Sequence, residues 1–212
     1  VYDKETAQAK VDMIMMSLNA EALEKEKEKL MAFKAYKENI GKVVFSDKLN
    51  TFNYRDENKP TEDPKNFKKE LMLGGQTLFR AYLDKPVALS HPSAWYNISY
   101  ELNGKKTSRE GLRKTSSYFS KNIPQKTQYT DKHVTWVHSM IENNHGQVVW
   151  DIAFIELLYQ NKDDFQIGKT YTLTVTLSAF MDGEDAETIA TGTVNLKCTE
   201  ESMKLLRNAD TY

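Results

Sequence analysis

The stretch "HVTWVHSMIENNH", from His133 to His145, holds three of the chain's four histidines and a glutamate. On a helix, His138, Glu142 and His145 would share one face at i, i+4 and i+7, a spacing that suits a zinc ion. On a strand, the odd step from His133 to His138 places the two on opposite faces. Composition favours the strand. "HVTWV" is rich in β-branched and aromatic residues, "ENNHGQ" is a turn cluster, and "VVWDIAFIELL" reads as a partner strand. With the turn at Asn143 to Gly146, Glu142 pairs with Gln147. His138 then faces Asp151, His133 faces Glu156, and His145 sits at the tip. Cross-strand histidine–carboxylate pairs are ordinary sheet contacts. The expectation is therefore no metal, no cofactor and no catalytic histidine.

Other chemistry is sparse. No G-x-S-x-G, H-E-x-x-H or P-loop pattern occurs, and "LGGQT" lacks the following Lys-Ser/Thr pair of a phosphate cradle. His91 precedes Pro92 in a loop. Asn97-Ile98-Ser99 matches a glycosylation acceptor, which matters only in a eukaryotic secretory setting. Cys198 is the one cysteine, so no internal disulfide forms. It closes an apolar alternation and reads as a buried structural thiol. Carboxylates are plentiful. A hydrolase of a glycan or other polymer, acting through carboxylates in a sheet-edge cleft, is thus the alternative to a non-catalytic module.

Charge is the stronger clue. Lys plus Arg is 29 and Asp plus Glu is 30, so no global excess attracts nucleic acid or anionic membranes. Residues 103–132 depart from this balance, with eight Lys/Arg against two Asp/Glu. That local +6 in a chain of net charge −1 leaves −7 on the rest. Tyr118, Phe119 and Tyr129 are interleaved with the basic residues. Lys105, Lys106, Arg109, Arg113 and Lys114 are the candidate ligand-binding residues, for a protein or glycan partner with negative charge. The plainer reading is a soluble connection whose lysines protect a sheet edge, with "KTSSYFS" as an extra strand.

The elements that would position these residues follow from periodicity. Val11, Ile14, Met15, Leu18 and Ala22 mark one helical face, and Leu30, Phe33 and Ile40 resume an apolar stripe after "EKEKEK", in one long helix or a helical pair. Gly41 is a stop signal. "KVVFS" reads as a strand and residues 50–66 as a loop. From about residue 67 onward the chain reads as strands almost to its end. "FKKELML" and "QTLFRAYL" flank Gly74-Gly75 as a hairpin, and "AWYNISYEL" precedes Asn103-Gly104, the strongest short hairpin signal. "YTLTVTLSAF" alternates Tyr171, Leu173, Val175, Leu177 and Ala179 against threonines and a serine. "TIATGTVNLKC" returns with Ala190, Val194, Leu196 and Cys198 on one face. Met203, Leu205 and Leu206 suit a short final helix.

The 133–155 hairpin is apolar on both faces, so it needs two covers. A second sheet supplies one. The helix around Val11 to Leu18 supplies the other, against Val134, Trp136 and Met140. Trp95, Trp136 and Trp150 fall on strands and read as core. The expected fold is mainly β: an immunoglobulin-like antiparallel β-sandwich over 42–199, a helical extension over 1–41, and a helix or tail over 200–212. "FQIGKTYTLTV" is similar to strands at the margin of extracellular sandwich domains. A non-catalytic binding or structural module outside the cytoplasm is the function this implies. Mean hydropathy is −0.64, and no apolar run approaches the roughly 18 residues of a membrane span.

Overall fold

The computed structural model describes residues 21, 24–25, 27–48, 51–52, 59–84, 95–109, 135–144, 147–180 and 187–209. The described chain is mainly β and forms two sheets. Its strands are β1 (Val43–Ser46), β2 (Glu70–Met72), β3 (Thr77–Tyr82), β4 (Trp95–Leu102), β5 (Lys105–Arg109), β6 (Thr135–Asn144), β7 (Gln147–Trp150), β8 (Thr170–Phe180) and β9 (Glu187–Lys197). Among the described residues, helices α1 (Lys34–Asn39), α2 (Ile152–Gln160) and α3 (Glu200–Ala209) accompany them, and residues 27–30 are helical as well. One sheet has the order β1-β3-β6-β7 and the other β2-β9-β8-β4-β5.

A single large core lies between the sheets. Phe45, Phe79, Ala81 and Leu83 enter it from the four-stranded side, and Ile98, Tyr100, Leu173, Val175, Val194 and Leu196 from the five-stranded side. The alternation of β8 and β9 is what aims these residues inward, while Thr172, Thr191 and Thr193 face water. The β4–β5 hairpin turns at Asn103 and Gly104, both with positive φ (53° and 74°), which is what a two-residue turn of this hand requires. Cys198 is fully buried. Helix α3 begins where Thr199 and Ser202 cap each other, Thr199 Oγ1 accepting from Ser202 N at 3.1 Å and Ser202 Oγ from Thr199 N at 3.0 Å.

Four expectations are corrected. Gly74-Gly75 does not make a hairpin. β2 pairs in parallel with β9 while β3 pairs with β1 and β6, so this turn carries the chain from one sheet to the other. The segment after Trp150 is a helix, not a strand. Asp151 caps α2 by accepting from Ala153 N (3.0 Å) and Phe154 N (3.2 Å), and Ala153, Phe154, Leu157 and Leu158 form its buried face. An apolar run with no clean alternation fits either element, and the cap decides it.

The β6–β7 register is also tighter than expected. Asn144 pairs with Gln147 and Glu142 with Val149, so Asp151 comes level with Met140, to whose O its N donates at 2.8 Å, and not with His138; on the other flank of β6 His138 lies opposite Phe79 of β3. Met140, finally, joins the inter-sheet core together with its neighbour Ile141. It is the extra residue where the β3–β6 pairing shifts between Thr77 and Leu78, and such a bulge breaks strict alternation. Val11 to Leu18, Val134 and "KTSSYFS" lie outside the described residues.

The two sheets meet along one side and are wedged along the other. Lys42 bridges Thr191, and Gly192 passes against Val43 so closely that a Cβ there would sit 2.0 Å from the Val43 carbonyl oxygen. On the far side α2 packs on β5 and β4, and Thr107 Oγ1 donates to Ala153 O at 2.6 Å. Gly192→Ala is expected to cost about 3 kcal/mol or more, because backbone cannot move aside as a side chain can. Gly168→Ala has open space but φ +86°, and its cost should stay near about 1–2 kcal/mol. Urea unfolding of both variants checks this, and equal losses would contradict the close crossing.

Candidate functional site

The basic segment is described only through β5. Lys105 is engaged: its ammonium donates to the carbonyl of Gln160 and pairs with Asp164 at 3.0 Å. A cation at the carbonyl end of α2 is favoured by the helix dipole, so Lys105 serves to seat that helix against β5. Lys106 is exposed and takes the register position opposite Glu101 of β4. Arg109 pairs in register with Ile98. Arg113 and Lys114 lie outside the described residues. Alternation along β5 therefore separates Lys105, on the α2 side with Thr107, from Lys106. Of the histidines, His138 is fixed in β6 opposite Phe79, and His91, His133 and His145 lie outside the described residues. Among the described residues no group of three or more His, Cys, Asp or Glu could hold a metal ion.

The structure reveals a second polar site that sequence reasoning missed. It lies on the face of β3 turned away from the main core. Arg80 is fully buried there, and its Nε lies 2.9 Å from Glu62 Oε1, itself on a buried side chain. Tyr82 donates its hydroxyl to the same oxygen at 2.6 Å. The guanidinium carbon stands 5.7 Å from the Phe52 ring centroid and 6.0 Å from that of Tyr82, within cation–π range.

Around this pair is a layer of aromatic and aliphatic groups. Phe67 packs on Phe52 and Tyr82, with centroids 6.1 and 6.4 Å away, and Tyr36 meets Tyr82 edge-on at 6.3 Å. Leu30, Ala35 and Tyr36, from the helical residues before Gly41, close over Tyr82. Tyr36 in turn donates to Leu83 O at 2.8 Å. Glu62 Oε2, by contrast, is buried without a hydrogen-bond partner.

The local sequence explains this layer. In "TLFRAY" every residue is buried, so β3 has no wet face. Phe79 and Ala81 take the main core, which leaves Leu78, Arg80 and Tyr82 on the outer face. An arginine inside an apolar run was the signal that could have found the site. Its partner, 18 positions earlier in a polar loop, carried none.

Burial pushes the Tyr36 hydroxyl up to about 12, with Asp84 and Glu24 adding repulsion toward the phenolate. Tyr82 is raised as well, by burial first and then by the charge and hydrogen bond of Glu62, against a smaller opposing effect of Arg80. Burial likewise raises the Cys198 thiol, which suits a structural role.

No family model matches the chain, and no curated protein or solved structure matches it either. No helix among the described residues is long and apolar enough to cross a membrane.

The raised tyrosines predict alkaline sensitivity. Above about pH 10 the unfolded chain releases the tyrosine proton while the folded chain keeps it, so stability falls as pH rises. For Tyr36 this fall runs from about pH 10 to about 12. Its slope is about 1.4 kcal/mol per pH unit for each such group. Tyr36→Phe should fall less steeply than wild type in urea melts across that window. Identical slopes would show that Tyr36 is not buried as described.

Proposed function

We propose that the chain is a non-catalytic binding or structural module, built as an immunoglobulin-like sandwich and working outside the cytoplasm. In this reading it meets an anionic protein or glycan through the basic 103–132 segment. The observation that carries the reading is the place of β5. Among the described residues it is the edge strand of the five-stranded sheet, and its Lys106 faces solvent. The segment with a local charge of +6 therefore starts at a sheet margin, on a chain whose remainder is −7. An anionic partner would be attracted to this segment and repelled elsewhere. Function also concentrates on loops carried by rigid sheets. Two sheets sharing one core support the sandwich reading. The location rests on fold-level likeness to modules common outside the cell.

The experiment begins with heparin, hyaluronate and an acidic protein such as casein as probes. Lys106, Arg109, Arg113 and Lys114 are then reversed together to Glu. Lys105 is left in place because its reversal would break the contact with Asp164. Binding is expected to drop at least about tenfold and, before reversal, to weaken with salt, since exposed charges are screened beyond roughly 8 Å at physiological ionic strength. Equal binding by the reversed and native chains would reduce the segment to a soluble connection.

A further inference from the structure

The Arg80 site is built like a receptor for a carboxylate that already has one bound. A guanidinium is a fixed fork of donors matched to planar anions, and it stacks on aromatic faces. Arg80 has both features, with the Glu62 carboxylate against it and Phe52 and Tyr82 beside it. The site stands on β3, which has a strand on each side of it in its sheet.

The anion comes from elsewhere. Pro60 to Asp63 belong to no strand or helix. Their other hydrogen bonds stay local: Thr61 N donates to Lys59 O, and Asp63 accepts from Lys65 N and Asn66 N. Glu62, through Arg80 and the Tyr82 hydroxyl, is the contact that joins this stretch to β3. Glu62 also fits the site imperfectly, because its Oε2 is buried and makes no hydrogen bond. A buried polar atom without a partner costs about 1–3 kcal/mol. A carboxylate free to choose its position would not carry that cost.

We propose that Arg80, Tyr82 and Phe52 form a binding site for a carboxylate carried on an aromatic or apolar body, and that Glu62 occupies it as an internal competitor. Binding exchanges one carboxylate for another against Arg80, and Glu62 moves out to water. The body of the ligand lies against the Phe52 and Tyr82 rings that flank the guanidinium. The site is distinct from the basic segment and stands whether or not that segment binds anything.

The test uses 3-phenylpropionate as the probe, titrated into the full chain and followed by NMR at the Arg80 Nε–H and the amides of Thr61 to Asp63. In the wild type, saturable shifts are expected at both places. Glu62→Gln removes the competing charge and keeps the side chain's volume. It should bind at least about tenfold tighter, since apparent affinity scales with the fraction of open sites. Arg80→Met should abolish the response. Absence of shifts in wild type up to about 50 mM probe would overturn the proposal and leave the pair purely structural. So would equal affinity in a folded Glu62→Gln, or shifts that persist in a folded Arg80→Met. If either variant fails to fold, the wild-type titration decides.

Discussion

Strand β3 has no wet face, and much of the molecule is arranged around that fact. A strand buried on both sides requires two covers. The five-stranded sheet provides the first through the inter-sheet core. The second is a layer assembled from chain on both flanks of β1: Leu30 to Ile40 before it, Phe52 and Phe67 after it. Apolar burial alone would serve for Leu78. Arg80 adds a demand, because an ionised group in a dry layer is tolerated only when it is paired. Glu62 meets that demand and itself accepts from the Tyr82 hydroxyl, which brings the loop around Glu62 onto the sheet. A buried ion pair of this kind is poor evidence of net stabilisation. Its effect is to make other arrangements of the covering layer costly.

The same economy of contacts joins the two sheets. At Gly192 the backbones of β1 and β9 approach until no side chain fits between them, so one side of the core is shut by main chain. The other side is too wide for such contact, and α2 fills it, capped at one end by Asp151 and held at the other by Lys105. This explains why the most N-terminal part of the basic segment is only partly available to a partner. One of its lysines is committed to seating a helix.

Much of this was legible in the residues. The alternation of β8 and β9, the Asn103-Gly104 turn, the burial of Cys198 and the C-terminal helix all rest on local patterns, and local patterns survive folding. What failed was non-local. Nothing near Gly74-Gly75 says that its flanking strands join different sheets, since pairing partners lie far away in sequence. "IAFIELL" is apolar on both parities, so a doubly buried strand and a helix look alike, and only the Asp151 cap separates them. The extra residue Met140 upset face assignments because a bulge shifts parity without marking itself in composition. The Glu62–Arg80 pair was invisible because a glutamate among turn formers resembles any solvated glutamate.

The central claim is that the outer face of β3 is dry and that Arg80 and Glu62 are paired within it. A double-mutant cycle with Arg80→Met and Glu62→Gln measures that pairing directly, with urea unfolding of the native, single and double variants. The account predicts a coupling energy of at least about 1.5 kcal/mol, as for contacting groups within one buried network. A coupling of about 0.5 kcal/mol or less, the scale of solvent-exposed pairs, would contradict it.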